Sequence, residues 1–328
     1  RVAAAVNEND SVLHLSRKSW NLTERAIEAA DRLRIAVRRC ASGARLIDFG
    51  IDVSGGLEAG RMLARISMAD LGQVEIVPAH SDLMTGPAVL VTTDQPVAAC
   101  IAAQYAGWRI AGDGFFAMGS GPMRAAAARE PLFEILPLRE KPDEAVGVLE
   151  TRQFPSPDIC RGVAEKCGVA PDRLTLCLAP TASQAGTLQV ASRSVETALH
   201  KLLELGFDLT QIESGYGTAP LPPIASDDLA AIGRTNDAIL YGAQVTLWVR
   251  GEDDELESVG KKVPSSASPE HGRPFIDIFK RAGGDFYQID PHLFSPAVVT
   301  FMNLATGNSF RFGHTVPRVI HESFGVGP

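Results

Sequence analysis

The sequence predicts an α/β protein of two layered domains, and three observations carry that reading. Strand-like and helix-like runs alternate along the whole chain, the pattern of sheets covered by helices. The chain has 328 residues, long for one compact core and comfortable for two. Small-residue turns, Ser54-Gly55-Gly56 and Gly119-Ser120-Gly121-Pro122, fall between elements of the two kinds. A division near residue 165 gives an N-terminal α/β domain, 1–165, and a C-terminal one, 166–328, which are free to exchange segments. No internal repeat is visible.

The elements follow in order. Helical period runs over 21–39, and the basic residues Arg32, Arg34, Arg38 and Arg39 read as its solvated face. A strand at 45–50 is followed by the glycine turn and a helix over 57–64. Short β-rich runs lie at 74–77 and 88–93, and a helix over 96–108 ends near Gly107. Residues 115–118 are brief and apolar, and an alanine-rich helix starts at Met123. Strands at 146–150 and 174–178 enclose a helix at 157–167. Helices at 227–232 and 235–240 precede a strand at 244–249. The acidic, Ser/Pro-rich stretch 251–274 reads as a long loop, with a helix at 275–282 and a strand at 298–304 beyond it.

Composition narrows the function. The chain is 45% hydrophobic and 21% charged, the balance of a globular protein. Its 31 basic and 39 acidic side chains give a net charge of −8, against the clustered positive charge that nucleic acid demands. No apolar run reaches the roughly 18 residues that span a bilayer. The first 20 residues lack the continuous apolar core of a secretory signal, and Arg1 in place of Met suggests a trimmed or processed chain. The five cysteines are odd in number, without a CxxC, and read as reduced thiols in a cytoplasm. The seven histidines include no HxH or HExxH, so no local motif points to a metal. No G-x-S-x-G elbow is present either.

The most informative stretch is 189–201. Val195, Ala198, Leu199, Leu202 and Leu203 recur at helical spacing, while Arg193, Glu196, His200 and Glu204 share the opposite face. Arg193 and Glu196 are three residues apart, within reach of an ion pair. Lining a cleft, they offer a carboxylate base with a charge partner. Facing water, they are an ordinary surface pair, and spacing alone favours that plainer reading.

Three further clusters are candidate ligand contacts. Gly119, Ser120 and Gly121 precede a helix with Arg124 in its first turn, where free N–H groups suit an anion; a tight strand-to-helix turn explains them equally well. Neither a Walker loop nor a dinucleotide fingerprint is completed there. Thr181 and Ser183 follow a strand, and suit ligand contact or helix capping. Thr235, Asn236 and Asp237 form a polar group before an apolar run, denser than one cap requires.

Several of these stretches together resemble the methenyltetrahydromethanopterin cyclohydrolase family. The matching segments are 47–50 (Ile-Asp-Phe-Gly), 104–108 (Gln-Tyr-Ala-Gly-Trp), 116–122 (Phe-Ala-Met-Gly-Ser-Gly-Pro), 179–183 (Ala-Pro-Thr-Ala-Ser), 189–201, 233–242, 285–291 and 293–297. They occur in the family's order and cover nearly the whole chain.

The resemblance implies two α/β domains flanking a deep pterin-binding cleft, in a cytoplasmic homotrimer that needs no metal or redox cofactor. It implies reversible hydrolysis of the methenyl group of 5,10-methenyltetrahydromethanopterin to the 5-formyl derivative, the pterin being substrate and one-carbon carrier. The family's catalytic arginine and glutamate fall on Arg193 and Glu196, which moves that helix face into the cleft. Glu196 is then the general base and acid, aided by Arg193. Two alternatives stay open: another one-carbon pterin enzyme, such as a formyl transferase, or a non-catalytic pterin-binding or assembly subunit.

Overall fold

The computed structural model describes residues 13–112, 114–136, 138–284 and 288–325. Residues 1–12 of the segment read for a signal, and 285–287 of one family-like motif, lie outside that range. Twelve strands are present among the described residues. They are β1 Ala36–Arg39, β2 Arg45–Asp48, β3 Gln73–Pro78, β4 Pro87–Thr93, β5 Trp108–Gly112, β6 Phe115–Ser120, β7 Ala145–Glu150, β8 Leu174–Ala179, β9 Ile212–Pro220, β10 Gln244–Val249, β11 Val298–Asn303 and β12 Ser309–Gly313. They form two six-stranded sheets, ordered β1-β2-β8-β7-β6-β5 and β12-β11-β10-β9-β4-β3. Sheet membership crosses the middle of the chain: β8 joins the first sheet, while β3 and β4 join the second.

In the first sheet β2, β8 and β7 are parallel, and β1, β6 and β5 extend it antiparallel. The parallel strands are buried on both faces, as continuous apolar runs such as Leu174–Ala179 require. On one face Ile47, Val146, Val148 and Cys177 pack against Leu22 of helix Leu15–Glu28 and Leu63 and Ile66 of helix Leu57–Ser67. On the other, Leu46, Leu149 and Leu176 meet Cys160 and Val163 of helix Pro157–Cys167.

The second sheet is antiparallel except for β10 and β11. Its inner face, with Val91, Val245, Leu247 and Phe301, packs on Val195, Ala198, Leu199 and Leu202 of helix Ser194–Glu204. Helices Leu57–Ser67 and Gln184–Ala191 contribute side chains to the cores of both sheets, so they form a shared middle layer. The outer face of the second sheet carries Leu90, Tyr216, Thr218, Thr246 and Thr300 around a concavity of about 760 Å³. That concavity contains none of the candidate site residues.

Several elements differ from the sequence reading. The helix expected over 21–39 ends early: Arg34 adopts φ 54°, and residues 36–39 become edge strand β1 paired with β2. Ile35 and Val37 supply the β-branched character that helical period hid, and Arg38 and Arg39 sit exposed on a strand. The segment over 96–108 is a π-helix, Val97–Gln104, followed by β5. The loop over 251–274 contains helix Asp253–Gly260. The two helices at 227–240 are one helix, Asp228–Asp237, running into a π-turn, and its cap is Asp227, which accepts from the Ala230 N–H. Strand β9 was not anticipated, because Ser214-Gly215-Tyr216-Gly217 lacks a β-like composition. Its glycines have a steric reason. A Cβ on Gly215 would lie 2.7 Å from Val195 Cγ1, and one on Gly217 2.4 Å from Ser194 Oγ. Only a bare backbone lets the strand pass the start of helix Ser194–Glu204 so closely.

The middle layer is close-packed at Gly60, where an added Cβ would sit 2.8 Å from Leu188 Cβ and 3.2 Å from Ala185 Cα. Gly60→Val is therefore expected to push helices Leu57–Ser67 and Gln184–Ala191 apart and to cost roughly 1–3 kcal/mol. Urea unfolding measures this, and an unchanged midpoint would contradict the packing described.

Candidate active site

The polar face of 189–201 is built by a break between two helices. Helix Gln184–Ala191 ends at Ser192, whose hydroxyl donates to the Gln189 carbonyl, and helix Ser194–Glu204 begins two residues later. Arg193 is the hinge, with φ −88° and ψ 14°, and the Thr197 hydroxyl donates to its carbonyl. Glu196 thus lies in the first turn, where the helix dipole favours a carboxylate. Burial is graded along this face. Side-chain exposure is 8% at Arg193 and 7% at Glu196, and rises to 21% at His200 and 47% at Glu204. The solvated-face reading fits only the far end.

Arg193 is held on several sides. Its Nη1 donates to the Gln104 carbonyl at 2.9 Å, and its Nη2 donates to Glu150 Oε1 at 2.8 Å and Ser120 Oγ at 3.4 Å. With its amide oxygen turned inward, Gln189 accepts from Arg193 Nη2 at 2.6 Å. Glu196 Oε2 stands 4.0 Å from Nη1, an ion pair without a hydrogen bond. Burial pushes the Glu196 carboxyl up to about 7; Arg193 and Arg124 oppose this, and Glu150 reinforces it. Desolvation therefore outweighs the neighbouring cations. The group is balanced between its two protonation states near neutral pH, as a general base and acid requires.

The remaining sequence candidates are placed as follows. Ser120, at the end of β6, meets Arg193. Gly121 adopts φ +93°, and its N–H donates to the Ala103 carbonyl. A Cβ on Gly119 would meet Met123 Cε at 2.7 Å and the Trp108 carbonyl at 3.0 Å. Arg124 is fully buried and turned to the interior: it pairs with Glu130 and donates to the Ile101 and Ala103 carbonyls. Its charge nonetheless reaches Glu196. Ser183 caps helix Gln184–Ala191 by accepting from the Gly186 N–H, and Thr181 is buried beside it. Thr235 and Asn236 donate to the Ala231 and Ile232 carbonyls within their own helix. Asp237 accepts from the Phe275 N–H, and burial raises its carboxyl to about 7. No hydrogen bond or ion pair found among the described residues joins the 235–237 group to Arg193 or Glu196.

Sequence reasoning missed Glu150, Gln104 and Tyr105 as members of this site. Glu150 had a signal: it is a lone carboxylate at the carboxyl end of an otherwise apolar strand, a usual position for ligand-facing groups. Tyr105 had none. Its ring stacks on His200 at 4.5 Å and lies under Arg124 at 4.9 Å; both contacts span long stretches of chain. Among the described residues, no group of three or more His, Cys, Asp or Glu is arranged to hold a metal ion.

Comparison with known proteins gives a consistent answer. The family described as Cyclohydrolase (MCH) matches residues 14–324. The methenyltetrahydromethanopterin cyclohydrolase of Rhodopirellula baltica is 52% identical over 290 residues, covering 87% of each chain. That of Methylobacterium sp. is 45% identical over 307 residues, 92% of this chain and 95% of its own. That of Methanococcoides burtonii is 38% identical over 317 residues, 96% and 99% respectively.

The site's electrostatics can be read without any substrate. In ¹³C-carboxyl NMR, the Glu196 resonance is expected to titrate near pH 7, and a midpoint near 4.5 would show that desolvation does not dominate here. Because burial disfavours the charged form, this group's contribution to stability is present below its unfolded pKa. It is lost as pH rises through about 7.

Proposed function

This chain belongs to the methenyltetrahydromethanopterin cyclohydrolase family, and from that membership we propose that it interconverts 5,10-methenyltetrahydromethanopterin and 5-formyltetrahydromethanopterin, with Glu196 as general base and acid and Arg193 as its charge partner. The observation that carries the reading is a buried carboxylate, balanced near pH 7, 4.0 Å from a guanidinium anchored by other groups. The methenyl carbon lies between two nitrogens that share its positive charge, so it is electrophilic without further activation. The protein must place a water and remove its proton.

The steps balance with one residue. As the water oxygen bonds to the methenyl carbon, one of its protons passes to a Glu196 carboxylate oxygen. The adduct is a neutral carbinol flanked by two amine nitrogens. Protonated Glu196 then delivers that proton to the leaving nitrogen as the C–N bond breaks. The carbinol proton departs as the formyl C=O forms, so one proton is released per turnover. A carboxylate of ordinary pKa near 4.5 would be a weaker base for the first half, and a permanently protonated one could not begin it.

The candidate ligand contacts Thr181 and Ser183 lie just beyond the carboxyl end of β8, beside the parallel end of β7 that presents Glu150, and Ser120 lies two residues along the neighbouring antiparallel β6, opposite Val148. This placement supports a pterin bound above the carboxyl ends of β7 and β8, in a cleft beside helix Ser194–Glu204. The family's homotrimeric, cytoplasmic character belongs to the same proposal. The partly exposed outer face of the second sheet supports assembly, and five free thiols suit a reducing compartment. No helix among the described residues is long and apolar enough to cross a membrane.

Loss of methenyl absorbance on mixing protein with methenyltetrahydromethanopterin tests the reaction. Glu196→Gln is expected to keep fold and pterin binding while losing about 10²–10⁴ in kcat; full activity would end the assignment. Wild-type kcat/KM should rise with pH as Glu196 loses its proton near 7. Arg193→Lys should also be severely impaired, since one ammonium cannot serve Gln104, Ser120 and Glu150 as the guanidinium fork does. A solution mass near three times the 35.0 kDa of one chain would support the trimer, and a monomer would oppose it.

A further inference from the structure

Arg193 divides itself unequally between two carboxylates. Nη2 hydrogen-bonds Glu150 Oε1 at 2.8 Å, while Nη1 stands 4.0 Å from Glu196 Oε2. Glu150 closes β7, whose five preceding residues are all buried, and it remains 21% exposed. A charged side chain there adds nothing to strand packing, yet it makes a charge-assisted hydrogen bond to the cation that pairs with Glu196. We propose that Glu150 is a positioning residue for the Arg193–Glu196 pair: its carboxylate fixes the guanidinium and takes up its charge, leaving Glu196 free to accept a proton. This rests on the reading of Glu196 as the general base.

Geometry supplies the first half of the argument. A free arginine and a neighbouring carboxylate settle into a bidentate pair, with both carboxylate oxygens engaged. Such a Glu196 would have both oxygens engaged by the cation and would be a weaker base toward water. Here the guanidinium is pinned at Nη1 by the Gln104 carbonyl and at Nη2 by Glu150 and Ser120. It is held one step short of that pair.

Charge supplies the second half. The groups that act on or feel Glu196 are Arg193 at its helix start, Arg124 from helix Met123–Ala127, Glu150 from β7, and Cys100 and Tyr105 from the π-helix and its end. His200, on the same helix as Glu196, stacks on Tyr105. Arg124 is balanced by Glu130 and Arg193 by Glu150. With both cations matched, the charge of ionised Glu196 is in excess and available to a cationic methenyl group. Without Glu150, Arg193 would cancel it, and Glu196 would become the weaker base. Glu150 does raise the proton affinity of Glu196, against the two guanidiniums.

The test compares wild type with Glu150→Gln, which keeps shape and an acceptor for Arg193 but removes the charge, and Glu150→Asp, which keeps the charge. In Glu150→Gln the acid limb of kcat/KM should move down by about one pH unit. The plateau should fall about 10-fold as the base weakens, by the same factor in both directions, while binding should weaken more for the cationic methenyl substrate than for the neutral formyl one. Glu150→Asp should keep the limb at its wild-type position with a lower plateau, and it carries the test alone if the Gln variant does not fold. A limb unmoved in Glu150→Gln, or moved equally by both variants, would overturn the proposal. The ¹³C-carboxyl titration of Glu196 in the same variants reports the Glu150 effect without turnover. An acid limb that survives Glu196→Gln would instead sink the general-base reading, while the titration still decides the link to Glu150.

Discussion

Arg193 is the point where the parts of this fold meet. Its guanidinium joins the end of the π-helix through Gln104, the end of β6 through Ser120 and the end of β7 through Glu150. Burying a guanidinium is costly unless each donor finds an acceptor. Satisfying it therefore requires these strand ends, the π-helix and the helix break at Ser192 and Arg193 to be in register together. Glu196, one turn along, inherits a place fixed by that requirement.

The same requirement explains features that look like packing oddities. A π-helix of small apolar residues, Val97–Gln104, packs against helix Ser194–Glu204 and ends so that the Gln104 carbonyl points at Arg193. Strand β9 gives up two side chains, at Gly215 and Gly217, where it passes Val195 and Ser194. Bulk at either site would displace the first turn of the helix that carries Glu196. The backbone is thus made thin on one side of the turn that carries Glu196 and wide-turned on the other.

Electrostatics then sets the chemistry. Burial alone would hold Glu196 protonated, and Arg193 alone would hold it ionised; the fold supplies both, and the balance falls near 7. Arg124 contributes from a fully interior position, neutralised by Glu130 and sandwiched near Tyr105 and Phe133. Its role toward the site is a charge at a distance rather than a contact. Tyr105 and His200 close the layer between that buried pair and helix Ser194–Glu204.

Local patterns in the chain suffice for the alternation of strands and helices, the apolar runs of β7 and β8, and the helix face bearing Arg193 and Glu196. These signals are local: period, β-branched content and spacing act within a few residues of chain. The family-like motifs added identity, since they preserve order over the whole length. Tertiary structure alone decided the rest. Whether the Arg193 face met water or the interior depended on β9, and on the π-helix and β7, both far away in sequence. Thr235 and Asn236 read as candidate ligand contacts, but within the single helix begun at Asp227 both side chains donate to that helix's own carbonyls. Arg124 looked available to a ligand until Glu130 and two carbonyls took its donors. Glu150 was visible only as the end of a strand. Its meaning required knowing which cation lay 2.8 Å away, a distance set by packing two sheets around one shared layer.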